Sequence, residues 1–205
     1  LMAAPTALYI AKILLPETQR SETADGADQE MQAETTNALD AMCQGASDGM
    51  KLTINVLAML IGFTAAIALL NYLIVLPQNW IGVNAPITFD QILGWINAPF
   101  AWLMGVPWAD CDAIGQALGK RIVFTEFIGY MEITSLKETL DSRSFTLATF
   151  AICGFANFAS IAIQVGGIGS LTPERRTDLA SLGLRAMAGG ILVGYTNACI
   201  AGLFL

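Results

Sequence analysis

Three long stretches of this chain carry no charged side chain, and they limit what it can fold into. They cover residues 52–76, 145–169 and 186–205, and each is long enough for roughly 20 residues of helix across a bilayer. Hydrophobic residues make up 55% of the sequence and charged residues 13%, which is more apolar than a soluble domain of this size can bury. The sequence therefore predicts an all-α integral membrane protein, because helices satisfy their own backbone hydrogen bonds in lipid.

The breaks between these stretches divide the chain into six segments. The first three are predicted to be the end of a transmembrane helix (1–15), a polar linker with an interfacial helix (16–51) and a transmembrane scaffold helix (52–76). The last three are predicted to be an interfacial segment with a re-entrant hairpin (77–144), a broken transmembrane helix (145–169), and a loop with the final transmembrane helix (170–205). We expect the interfacial helix at about 29–44, a break at the glycines of 45–49, and Pro77 at the end of the scaffold helix.

Residues 91–138 are apolar only in short pieces, none of which is long enough to cross a membrane alone. The predicted interruptions are Pro99, Pro107, Gly119, Lys120 and Glu126. Discontinuous helices of this kind occur where the backbone is covered by protein or lines a water-filled cavity, and a hairpin that enters and leaves on one face is the simplest arrangement. For residues 91–108 the alternative is an interfacial segment anchored by tryptophans.

Charge and composition exclude several classes of function. The net charge of −7 comes mainly from residues 17–48, and there is no basic patch, so we expect no nucleic-acid partner. The chain has no His, its four cysteines are singly spaced, and no nucleophile has a base beside it, so neither a metal site, a disulfide framework nor an enzyme is predicted. The first residue is Leu without a basic leader, which suggests a fragment.

The basic residues also give an orientation. Lys12, Arg20 and Lys51 precede the span at 52–76, whereas residues 77–90 contain no Lys or Arg. The positive-inside rule then places Leu52 on the cytoplasmic side and the C-terminus outside, although the four basic residues between 120 and 143 count against this.

Glu126 is the first candidate site residue. It lies in an apolar and aromatic stretch, Thr125–Tyr130, with no evident basic partner on the same helical face. A carboxylate inside a membrane costs free energy unless it is solvated, paired or occupied by ligand, so it indicates a functional site. The alternative is a charge at a helix end that reaches the interface.

A polar interruption in the middle of residues 145–169 is the second candidate. Asn157 and Ser160 are three residues apart, so on a helix they would share a face and could bind one hydroxyl-rich solute, with backbone groups added if the helix unwinds at Gly154. Bonding between neighbouring helices explains the same pair equally well. From these features a secondary transporter is favoured over a channel or a membrane scaffold, because polar interruptions cluster at mid-depth and do not line a continuous pore.

Several stretches resemble the concentrative nucleoside transporter family. They include AAPTALYIAK from Ala3, PET from Pro16, QGASDG from Gln44, APFAWLMGVPW from Ala98, Glu126–Phe127, and CGFANFASI from Cys153. The resemblance covers the whole chain in order and identifies it as the C-terminal half of such a protein. It implies half of an inverted-repeat, ion-coupled transporter that forms a homotrimer and carries nucleosides across the plasma membrane, with the inner membrane of a bacterium favoured by the short tail.

The resemblance also implies roles for particular residues. Glu126, Asn157 and Ser160 match the residues that bind the ribose hydroxyls, and Phe155 matches an aromatic residue of the same site. No cofactor is expected. The coupling ion would be sodium or a proton, and most sodium ligands and nucleobase contacts would lie upstream, in the N-terminal half of the same protein.

Two positions depart from the family pattern. Thr125 stands where Asn is common and Ala159 where Ser is common, and either change could shift selectivity. Two alternatives stay open: a transporter of the same architecture for another small polar solute, and a non-transporting membrane scaffold.

Overall fold

The computed structural model describes residues 3–18, 20 and 36–205, and this part of the chain is helical without strands. Two helices in it are long and apolar enough to cross a membrane, one ending at Trp80 and one at Gly202. In chain order the helices are α1 Ala3–Leu14, α2 Ala38–Trp80, α3 Phe89–Leu103, α4 Trp108–Val123, α5 Glu126–Ser135, α6 Ser142–Ile152, α7 Phe158–Leu171, the short 3-10 helix Pro173–Arg175, and α8 Arg176–Gly202.

Helix α2 is one continuous helix of 43 residues, which corrects two predictions. It begins after Asn37, whose side chain caps the amide of Asp40, and it continues through the glycines at 45–49 that were expected to break it. Each glycine costs about 1 kcal/mol of helix propensity, which is too little to stop a helix that is already propagating. Of the predicted interfacial helix, residues 29–35 lie outside the described residues, residues 36–37 precede α2, and residues 38–44 are its first part.

Pro77 lies inside α2, three residues before its end, so the prediction that it ends the helix was wrong. The side chain of Gln78 links the last turns of α2 to the chain that follows. Its Nε2 donates to the carbonyls of Ile74 and Ile87, both at 2.9 Å, and its Oε1 accepts from the amide of Ile87 at 2.8 Å. These bonds hold the end of the helix in place, although the N–H that Pro77 lacks leaves one helical bond unmade.

Residues 89–135 form three successive helices, α3, α4 and α5, in the region for which an interfacial segment and a re-entrant hairpin were predicted. Of the five predicted interruptions, only Pro107 and Glu126 lie at helix boundaries. Gly119 lies within α4, at a point where α3 passes very close. A Cβ at this position would be 2.4 Å from the carbonyl oxygen of Asp90 and 2.5 Å from the amide nitrogen of Gly94. Glycine therefore serves helix packing at this position and does not end the helix.

The core of the molecule lies where α4, α6 and α8 meet. Buried apolar side chains there include Ile114, Leu118 and Leu147, each fully inaccessible. Tyr130 of α5 donates to the carbonyl of Thr149 on α6 at 3.2 Å. This core holds the turn between α4 and α5 beside the interruption between α6 and α7.

Candidate functional site

Glu126 is the first residue of α5, directly after the two-residue turn that ends α4. Thr125 precedes it with the extended backbone typical of an N-cap. The carboxylate is half-buried at a helix N-terminus, where the helix dipole favours negative charge. The local backbone therefore explains how a charged group is tolerated beside apolar neighbours.

Residues 153–157 interrupt the helical path between α6 and α7. Asn157 is the N-cap of α7, and its Oδ1 accepts from the amide of Ser160 at 2.7 Å. The hydroxyl of Ser160 in turn accepts from the amide of Asn157 at 3.2 Å and donates to its carbonyl at 2.6 Å. The two side chains therefore lie together at the N-terminus of α7, with Asn157 as the N-cap before the first turn and Ser160 within that turn.

The turn and the interruption meet through a single hydrogen bond. Nδ2 of Asn157 donates to Oε2 of Glu126 at 3.0 Å. Asn157 is fully buried and Ser160 nearly so, whereas Glu126 keeps some exposure. Among the described residues Oε1 of Glu126 has no hydrogen-bond donor, so the carboxylate can accept from a further group.

The structure brings Glu126, Asn157 and Ser160 together, but Phe155 stands apart from their hydrogen bonds. Its side chain is 51% exposed on the surface of the interruption. An exposed aromatic ring at this position is available for contact with a flat ligand.

A cavity of about 610 Å³ lies beside this cluster, between α2 and the turn after α4. Thr125 and Ala159, the two positions that depart from the family pattern, both line it, and Thr64 and Asn71 of α2 contribute polar groups. None of the four predicted site residues lines this cavity or the groove of about 630 Å³ between α1 and α8, but Thr125 and Ala159 are the chain neighbours of Glu126 and Ser160. The geometry therefore favours the cavity at the turn as the space next to the site.

Arg121 also lies in this region, although from the sequence it was considered only as one of the four basic residues between 120 and 143 that count against the predicted orientation. The structure buries it completely and directs Nη2 to the carbonyl of Gly154, at 2.8 Å. The signal in the sequence is the cost of a basic residue in a membrane, but the adjacent Lys120 carries the same signal.

Comparison with known proteins gives consistent matches along the chain. A family model described as "Na+ dependent nucleoside transporter C-terminus" matches residues 1–202. The uncharacterized transporter YutK of Bacillus subtilis is 38% identical over 205 residues, which are 100% of this chain and 50% of that protein. Sodium/nucleoside cotransporter 1 of Rattus norvegicus is 34% identical over 221 residues, which are 98% of this chain and 34% of that protein.

Solved structures match as well. A variant of CNTnw in an outward-facing state has a TM-score of 0.87 at 38% identity, covering 99% of this chain and 48% of the other. CNTnw in an inward-facing substrate-bound state has a TM-score of 0.70 at 39% identity, covering 98% of this chain and 48% of the other. The chain spans about half the length of these bacterial and structural relatives.

Proposed function

Because the chain belongs to the Na+ dependent nucleoside transporter family, we propose that it is the C-terminal part of a secondary active transporter that imports nucleosides by symport with sodium. The observation that carries this proposal is the hydrogen bond between Glu126 and Asn157, which joins two helix N-termini at one polar point. Relatives that carry the printed name of sodium/nucleoside cotransporter support the substrate and the ion.

Glu126, Asn157 and Ser160 are proposed to bind the sugar of the nucleoside. A carboxylate accepts hydrogen bonds from hydroxyl groups, and the amide and the first-turn N–H groups donate to hydroxyl oxygens. Each hydroxyl of a ribose both donates and accepts, so two neighbouring hydroxyls can pair with both kinds of group. Phe155 is proposed as an aromatic surface for the same ligand, reached from its exposed position on the interruption.

The chain is proposed to lie in the plasma membrane, in a bacterium the inner membrane, as a multi-pass protein. Helix α2 supports this, since it is apolar and none of its residues is buried, which distinguishes it from the core helix of a soluble protein. We propose that α4 and α5 form the re-entrant hairpin, with their turn at 124–125 directed to the substrate. The orientation with Leu52 on the cytoplasmic side is kept as a prediction.

The complete transporter is proposed to contain an N-terminal half with inverted topology and to assemble as a homotrimer. The half-length match to the relatives supports the first proposal. Large apolar side chains on α2, such as Leu57, Ile61 and Leu69, are more than half exposed, so this surface is available to lipid or to further protein.

The test is uptake of radiolabelled uridine by proteoliposomes that hold the full-length protein, with a sodium gradient, a proton gradient or none. We expect accumulation with the sodium gradient and its loss in Glu126→Gln, which keeps the shape of the side chain and removes its charge. Accumulation driven by protons alone would contradict sodium coupling. Absence of uridine accumulation under every gradient, from folded protein, would contradict the substrate.

A further inference from the structure

Arg121 links the helix that leads to Glu126 with the interruption that leads to Asn157. Its side chain is completely buried and leaves α4 five residues before Glu126. Nη2 donates to the carbonyl of Gly154 at 2.8 Å, and the same carbonyl accepts from the amide of Ala156 at 2.9 Å. Within the described part of the chain, Nε and Nη1 have no hydrogen-bond partner. A buried guanidinium with a single acceptor is costly, so its position needs an explanation beyond packing.

Glycines on three different elements leave room for this side chain. A Cβ at Gly129 of α5 would lie 3.0 Å from the Cβ of Arg121, and one at Gly154 would lie 3.3 Å from Nη2. On α8, a Cβ at Gly194 would lie 3.9 Å from Nη2 and 2.7 Å from the carbonyl oxygen of Ala151. The guanidinium therefore occupies the point where the hairpin, the interruption and the last helix converge.

We propose that Arg121 is a positioning residue that fixes the interruption against the hairpin, so that Asn157 meets Glu126 at hydrogen-bond distance. The inference rests on the proposed function of that site. Arg121 belongs to the helix that leads into Glu126, and Gly154 lies three residues before Asn157. The bond at Gly154 thus ties one side of the ligand site to the other without contact to the ligand.

The chemistry of the side chain matters for this role. Arginine reaches further than lysine and presents several donors in one plane, whereas lysine is a compact point charge on a flexible stem. Arg121→Lys keeps the positive charge and should lose the fixed link to Gly154. The carboxylate and the amide would then be free to separate, and the ribose hydroxyls would lose their paired partners.

The experiment measures uridine uptake by the full-length transporter with Arg121→Lys, together with competition by 3′-deoxyuridine. We expect KM for uridine to rise about tenfold, and the preference for uridine over 3′-deoxyuridine to fall towards one, because bonds to that hydroxyl contribute about this much discrimination. This preference does not depend on the amount of folded protein. A purely structural role would lower the amount of transporter and leave the preference unchanged.

Two further variants make the test decisive. Arg143→Lys is the matched control, because Nη2 of Arg143 donates to the carbonyl of Gly202 at 2.7 Å, the same chemistry away from the site. It should leave the preference as in the wild type. Gly154→Ala perturbs the Arg121 contact from the other side, and it should lower the preference in the same direction and decide the matter if Arg121→Lys does not fold.

Unchanged preference in both Arg121→Lys and Gly154→Ala would overturn the inference. Glu126→Gln is measured in parallel, so that the two proposals can fail separately. If Glu126→Gln abolishes uptake while the other two variants behave as wild type, only the positioning role is wrong. If Glu126→Gln transports normally, the proposed site itself is wrong and the inference falls with it.

Discussion

Helix α2 and the group of helices α3–α8 are both rich in apolar residues, yet they use them in opposite ways. None of the residues of α2 is buried, although it is the longest helix of the described chain. In α4, by contrast, nine of 16 residues are buried, among them three glycines or alanines at helix contacts and one arginine. Apolar composition therefore predicts that the chain lies in a membrane, but it does not predict which helix surfaces face lipid and which face protein.

The difference follows from small and polar residues. Helices α3 and α4 approach closely because Gly94, Gly115 and Gly119 present no side chain at the contact. In α2, the positions Gly45, Gly49 and Gly62 have no atom of another element within 4 Å of a Cβ. The same residue type thus permits packing in one region and only loosens a helix in the other.

The largest expected effect comes from an alanine at a packed glycine. Gly119→Ala should cost about 3 kcal/mol of folding free energy, because its Cβ would clash with the backbone of α3. The matched change Gly62→Ala should be neutral or stabilise by up to about 1 kcal/mol, because it removes a helix glycine. Melting temperatures of the full-length protein in detergent measure both. A large loss for Gly62→Ala would show that this face of α2 is covered in the whole protein.

A smaller effect is expected from a buried polar pair. The hydroxyl of Tyr195 donates to Oδ1 of Asn97, linking α8 to α3 in the interior. Tyr195→Phe leaves that oxygen without its donor and should cost about 1–2 kcal/mol of stability. Tyr72 of α2 is 60% exposed, so Tyr72→Phe should leave the melting temperature unchanged. Equal effects of the two substitutions would contradict the contrast between the regions.

The smallest effect is expected from ion pairs. Nζ of Lys120 lies 2.7 Å from Oε1 of Glu132, and both side chains are about 30% exposed, whereas the pair of Lys51 and Asp48 on α2 is largely exposed. We expect Lys120→Met to cost about 0.5–1 kcal/mol and Lys51→Met to have no measurable effect. Thermal melts at low and high salt show whether the loss of stability in Lys120→Met is electrostatic, because only an electrostatic loss should become smaller at high salt.

The sequence predicted the helical class correctly from runs without charge, because lipid allows few other backbone structures, and the boundaries of the spans stay a prediction. It predicted the helix boundaries less well. Pro77 was expected to end a helix and Pro99 to interrupt one, yet both lie within helices; α3, which contains Pro99, packs along α4, and such packing compensates for one lost bond. Such compensation depends on contacts distant in the sequence and is not visible in a local pattern.

The candidate site was only partly accessible from the sequence. The cost of a carboxylate in lipid singled out Glu126, and polarity singled out Asn157, but their hydrogen bond joins residues 31 positions apart. Arg121 was missed because it is adjacent to Lys120, whose side chain is about 30% exposed. Neighbouring residues of a helix point in different directions, so one of these two charges is accessible and the other is buried. The distinction needs the packing of α5 and α8.

Glu126 and Asn157 are proposed to bind the hydroxyls of a nucleoside together. Calorimetric titration of the purified full-length protein in sodium, with uridine and with 2′,3′-dideoxyuridine, tests this proposal most directly. The wild type should bind uridine at least about tenfold more tightly than the dideoxy compound, and Glu126→Gln and Asn157→Ala should each bind the two compounds with nearly equal, weak affinity. Wild-type affinity for uridine in both variants would contradict the account.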